Sequence, residues 1–336
     1  MTIGRAASML FLAALATVPA QALETDQFYA WTRPLEDATD AINLKVNAEI
    51  DAAIAEVNAR RGGRDCACRV VLHAIRNRFD YVIISRPELW ASQTSAIARI
   101  PVNGDEEPRY RHEYLYGATS RIDPLLWMPP APTIEAAGVR FGTDKLGHLL
   151  SDGAWTELAY RLALRQGASE DHAMATAIRY SIETESTIWG RGSSGIFSRG
   201  DLEANYQGLL FYRGLCDGDD PQLAHGSGGW RLKRPFDLHG YVTPEWDESW
   251  QANIYTARRW AKVKPVMARH CPELLDPVVR QRREAYAARD RETATESAVA
   301  KLVGAGKLED PSRFSIEAVC GAGPQQELTP PRFFVP

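Results

Sequence analysis

Within residues 142–212 the sequence sets polar side chains at spacings that share a helix face. Asp144 and His148 are four residues apart, Glu183 and Glu185 stand near the end of a second helical pattern, and Asp201 and Asn205 are again four apart. Residues i and i+4 project from one side of an α-helix, so three helices can aim an imidazole, carboxyls and an amide at one spot. One chemistry for such a set is proton transfer, because a carboxyl held against an apolar wall resists ionisation and can donate near neutral pH. The same donors also suit a divalent metal, through mostly oxygen ligands, acting on a phosphate or an amide. One His is few for zinc, and the chain has no H-E-x-x-H spacing. A third reading involves no catalysis: buried Asp, His and Asn can hold three helices in register by hydrogen bonding. All three readings stay open here.

Glu185 and Glu183 separate on their surroundings. Met174, Ile178, Ser181 and Ile182 precede Glu185 at i−11, i−7, i−4 and i−3, so Glu185 continues an apolar face. Glu183 follows Arg179 at i+4 and has a surface partner at hand. Glu185 is therefore the leading general acid, with Glu183, Asp144, His148 and Asp201 completing the candidate catalytic set. Ser193, Ser194 and Ser198 do not form a serine-hydrolase elbow, since no G-x-S-x-G joins a strand to a helix.

The stretch IETESTIWGRGSSGIFS resembles the lysozyme and lytic-transglycosylase pattern, in which a helix ends in Glu-Ser and a loop leads to Gly-Leu/Ile-Met-Gln. Glu185-Ser186 and Gly195-Ile196-Phe197-Ser198 take those places, with Ser198 where that family has Gln. The resemblance implies a lysozyme-like helical core in which Glu185 protonates the glycosidic oxygen of a peptidoglycan strand. Charge on the sugar would be met by Asp144 or Asp201, by an activated water, or by the sugar's own groups. Ser186, Trp189, Phe197, Ser198 and Asn205 are the expected substrate-binding residues. Asp144-Lys145-x-x-His148 followed by Ser198-x-x-Asp201-x-x-x-Asn205-x-x-Gly208 is similar to VanZ-like membrane proteins and related bacterial envelope lipoproteins, which implies an envelope role and a shared polar site. The leading reading needs no cofactor; a divalent metal belongs to the alternative.

The elements that must position these residues are mainly helical. Thr143, Ser169 and Ser198 read as N-caps of three helices, and Gly167 as a stop. Asp201 completes a capping-box spacing with Ser198, so it can serve merely to start its helix. Ile42, Val46, Ile50 and Ile54 mark an earlier amphipathic helix ended by Gly62-Gly63, and CRVVLHAIRNRF reads as another. YVIIS is the best strand candidate. Residues 100–134 and 217–255 read as long aromatic loop segments, with Trp127, Trp230, Trp246 and Trp250 offering surfaces on which sugars can stack. Residues 256–308 read as one or two solvated helices.

Composition bounds the rest. Residues 1–22 have one Arg, an apolar run, Pro19 and Ala20-Gln21-Ala22, which predicts an export signal cleaved near Ala22. The mature chain, 23–336, is expected to be a single mainly helical domain, periplasmic or secreted, with no transmembrane segment. The net charge of −4 and the lack of a basic stripe argue against nucleic acid as a partner; peptidoglycan is the expected one. Cysteines at 66, 68, 216, 271 and 320 predict two disulfides and one thiol in an oxidising compartment. Cys66-Ala67-Cys68 has no second ligand pair at zinc spacing.

Overall fold

The computed structural model describes residues 24–321 except 63, 65, 81–84, 102–105, 107–112, 117–130 and 188–189. Residues 1–22, read as an export signal, the YVII run and Trp127 lie outside the described residues.

The architecture is mainly α. Helix α1, Thr39–Arg61, buries Ile42, Val46, Ile50 and Ile54, and ends at Gly62 with φ of 58°. That left-handed backbone suits glycine, so the chain leaves the helix without strain. Helix α2, Cys68–Phe79, packs Val71, Leu72, Ile75 and Phe79 into the same apolar cluster. Helix α3, Arg86–Gln93, starts at Ser85, whose side chain accepts from the Glu88 amide.

A hairpin follows, starting in the last two residues of the segment read as loop. Strands β1, Thr133–Ala136, and β2, Val139–Gly142, pair antiparallel around Ala137 and Gly138, both at positive φ. This is the geometry of a two-residue hairpin turn. Both strands alternate in sequence, Thr-Ile-Glu-Ala and Val-Arg-Phe-Gly, but each run is only four residues long, the shortest over which period two reads as a strand.

Helix α4 comprises Asp144–Gly147, a π-helical turn His148–Asp152, and Gly153–Arg165. Helix α5 is Glu170–Ser186, and α6 is Arg199–Cys216 after a short strand β3, Ile196–Phe197. The Ser169 and Ser198 side chains accept from the amides of His172 and Asp201, as their cap positions predict. Thr143 does not cap α4: its hydroxyl is buried without a hydrogen-bond partner and its backbone is already helical.

Helix α6 is buried on nearly every side, with Asp201, Glu203 and Asn205 among its buried residues as well as apolar ones. Leu202 joins a cluster with Ile182, Phe197, Ile254 and Val263, whereas Phe211, Tyr212 and Leu215 join the cluster of α1 and α2. Leu209 packs with Tyr160 and Ala177 of α4 and α5. A helix buried all round is the centre of its fold. Its approach to α4 is set by two glycines, since a Cβ on Gly208 would lie 2.1 Å from the Leu149 carbonyl oxygen and 2.7 Å from the Gly153 Cα.

The two segments read as loop or solvated helix are more structured than expected. Strands β4, Leu223–Gly226, and β5, Gly229–Leu232, form a hairpin, and β6, Ile254–Tyr255, pairs with β3. Helices α7, Ala257–Met267, α8, Pro277–Arg289, α9, Ala294–Gly304, and α10, Ile316–Cys320, follow. They bury only Val263, Met267, Val279, Tyr286, Val299 and a few others, so a thin apolar stripe was hidden among charges. Disulfides Cys68–Cys216 and Cys271–Cys320 leave Cys66 as the thiol, which fits an oxidising compartment. Among the described residues no helix is long and apolar enough to cross a membrane.

Candidate functional site

The cluster is organised around a lysine. Lys145, in the first turn of α4, has no solvent exposure, and its Nζ lies 2.6 Å from Asp144 Oδ2, Asp201 Oδ1 and Glu248 Oε1. Burial alone would favour the neutral amine, but the carboxylates of Asp144, Asp201 and Glu248 push its pKa well above the ordinary value. Asp144 is fixed from its other side by the Thr25 hydroxyl, which donates to Oδ1 at 2.9 Å. Gly142 makes room for that contact: a Cβ there would lie 1.7 Å from Thr25 Oγ1.

His148 starts the π turn, a local irregularity often found at functional positions. Its Nε2 lies 3.3 Å from Asp201 Oδ2, and its Nδ1 lies 3.1 Å from both Asn205 Oδ1 and Asp152 Oδ2. Both ring nitrogens therefore face acceptors, an arrangement only the doubly protonated imidazolium satisfies. Consistently, Asp201 and Asp152 outweigh burial and raise its pKa well above the ordinary value. Asn205 donates in turn to Ser181 Oγ at 3.0 Å, so one chain of contacts spans α4, α6 and α5.

Glu185 lies on the α5 side and is 2 % exposed. Its Oε1 accepts from the Ser198 amide at 2.8 Å, and the 190–195 loop covers it so closely that a Cβ on Gly190 would sit 2.2 Å from that oxygen. Burial, then the negative Asp201, raises its pKa well above the ordinary value. Asp201 moves the other way: burial opposes ionisation, but His148 and Lys145 lower its pKa. Ser198 links the two halves, accepting from the Asp201 amide at 3.0 Å and donating to Glu248 Oε1 at 2.8 Å. Glu248 is completed by Asn253 at 2.8 Å and the Tyr116 hydroxyl at 3.3 Å. Glu24 is also buried beside this group, its pKa raised by burial and then by Glu248, Asp201 and Glu185.

The structure thus brings together Asp144, His148, Glu185, Ser198, Asp201 and Asn205. Asp201 does more than start its helix, because its carboxylate is turned to Lys145 and His148. Glu183 is exposed and faces away from the cluster, and Arg179 donates to Thr176. Phe197 is fully buried in the apolar cluster and pairs with Ile254 across β3 and β6, so it cannot face a substrate. Ser186 is half-buried at the end of α5, and Trp189 lies outside the described residues. Trp246 is core, packed edge-on against Phe141, which removes it as a stacking surface. Trp250 packs on Tyr286 and under Arg283, and Trp230 on His225.

Sequence reasoning left Lys145, Glu248, Glu24, Thr25 and Asn253 out of the site. Lys145 had a readable signal, since it stands inside the Asp144-Lys145-x-x-His148 pattern, but it was given no role there. Glu248 had none; it comes from an irregular segment with no periodicity to align it.

The charge pattern predicts how stability varies with pH. His148, Asp26, pushed up to about 6 by burial, and Glu88, pushed up to about 8 by burial and then Asp144, all have raised values. Such groups stabilise fully below their unfolded pKa, and that contribution is lost as pH rises through the folded value. Asp201, lowered from 3.8, stabilises above that value and loses its contribution as pH falls. Thermal stability is therefore expected to peak at about pH 4 and to decline towards about pH 8. Melting curves from acid to alkaline buffer check this, and a midpoint still rising between those two values would contradict it.

Asp144, His148 and Asp201 each also offer a ligand atom, all within 4.8 Å of one another. The donor set suits a divalent ion, although the Lys145 ammonium already bridges the two carboxylates. No family model, curated protein or solved structure matches the chain.

Proposed function

We propose that this chain is an exported cell-envelope hydrolase that uses Glu185 as general acid on the glycan strand of peptidoglycan. The observation that supports it most is the opposite displacement of two carboxyls in one cluster, Glu185 upward and Asp201 downward. A protonated acid beside a fixed anion is the division of roles that glycosidic cleavage uses. Glu185 gives its proton to the leaving oxygen, and Asp201, held ionised by Lys145 and His148, offsets positive charge developing on the sugar. Access requires the 190–195 loop to lift from Glu185. The choice of peptidoglycan comes from the Glu185-Ser186 resemblance and the export signal read in residues 1–22.

The test is incubation of the full mature chain with purified peptidoglycan, with and without a chelator, and mass analysis of the soluble products. Muropeptides released equally in both arms support the reading. Release abolished by chelator supports the second reading, a metal-dependent hydrolase built on Asp144, His148 and Asp201, which the clustering of their ligand atoms favours. Retention of the protein on the polymer with no product overturns both and leaves a non-catalytic envelope-binding protein.

A further inference from the structure

A second acidic group lies on the far side of the segment that carries Glu248. Glu245, Asp290 and Glu296 each place a carboxylate oxygen within 4.8 Å of the others. Glu245 is 2 % exposed, and neither of its carboxylate oxygens has a hydrogen-bond partner. The Thr243 hydroxyl, also buried, approaches the Glu245 carboxyl without good hydrogen-bond geometry. Buried carboxylates are normally paired, hydrogen-bonded or bound to a cation. The nearby cation, Arg199, pairs with one member of this group: its Nη2 lies 3.1 Å from Glu296 Oε1, an oxygen that also accepts from Gln251 at 2.6 Å, so a single positive charge faces three carboxyl groups.

We infer that Glu245, Asp290 and Glu296 form a calcium site. All the donors are carboxylate oxygens, with a hydroxyl beside them, which selects a hard cation over zinc or copper. Ligand oxygens that all lie within 4.8 Å of one another can share one calcium ion, whose bonds run to about 2.3–2.6 Å, whereas magnesium demands near-ideal octahedral geometry. The donors come from a 3-10 turn, Pro244–Trp246, from the residue after α8, and from the first turn of α9. Such irregular sources suit calcium's tolerant geometry. Asp290 and Glu296 are half-buried, so the ion keeps water on its outer side. The site ties the α8–α9 turn to the segment that delivers Glu248 to Lys145. The Glu245 carbonyl itself lies beside Gly200, as does the Lys145 side chain.

Calorimetric titration of the full chain, stripped with EDTA, with calcium chloride and separately magnesium chloride tests the site. Saturable calcium binding, a higher melting temperature in calcium than in EDTA, and at least ten-fold weaker magnesium binding are expected. Glu245→Gln keeps the volume and removes the charge; it should weaken calcium at least ten-fold while melting no lower than wild type in EDTA. Asp290→Asn, at a half-exposed position, gives the same loss of affinity should Glu245→Gln fold poorly. Absence of calcium binding, wild-type calcium affinity in both variants, or equal magnesium affinity overturns the assignment.

Discussion

Lys145→Met is expected to remove about 3–5 kcal/mol of stability, the usual cost of breaking a buried ion pair by deleting one partner. Met has nearly the reach of Lys and fills the same space, so packing loss is small and the effect isolates the charge. Lys145 Nζ stands 2.6 Å from each of three carboxylates with no water access. Without it, those groups must take up protons, move apart or admit water. Urea denaturation measures the loss. Neutralising the carboxylates in the same background, by Asp201→Asn and Glu248→Gln, should restore much of it, because the groups act as one network and their effects do not add. A Lys145→Met midpoint equal to wild type would mean that the carboxyls already carry protons and that the ammonium is not their counter-charge.

How much of this was legible in the sequence depends on whether a residue lay on a periodic element. His148, Asp201, Asn205 and Glu185 stand out because i+4 spacing and an apolar face fix the direction of a helical side chain from residue order alone. Glu183, two residues away from Glu185 and off that face, was included only because two glutamates stood together. Phe197 fell on the wrong side for a related reason, since a two-residue strand is too short for alternation to show which face it presents. Glu248 and Asn253 lie on an aperiodic segment and Glu24 and Thr25 near the start of the described chain, where only long-range packing brings them in. The same limit applies to the fold. The stripe of α1 was plain, while the β1–β2 hairpin alternates over only four residues in each strand, too short a run to stand out.

Glu185→Gln is expected to lower glycan cleavage by about 10²–10⁴-fold, the range by which a positioned general acid contributes, without loss of folding. The amide has nearly the volume of the carboxyl, and its oxygen can accept from the Ser198 amide as Glu185 Oε1 does. Nothing in the apolar packing of α5 need change. Stability should in fact rise at alkaline pH. Because burial and Asp201 raise the Glu185 pKa above its ordinary 4.5, the folded chain must hold a proton that the unfolded chain releases, and this contribution is lost as pH rises. Gln has no such proton to lose, so the variant's melting temperature should exceed that of wild type most at pH 8 and least near pH 4. Asp201→Asn reverses that sign, since it removes an anion that Lys145 and His148 stabilise. The two readouts separate the roles. Full activity in Glu185→Gln would sink its assignment as the acid. A variant that is inactive because it no longer folds would make Glu185 a structural acceptor for Ser198, holding α5 against the start of α6.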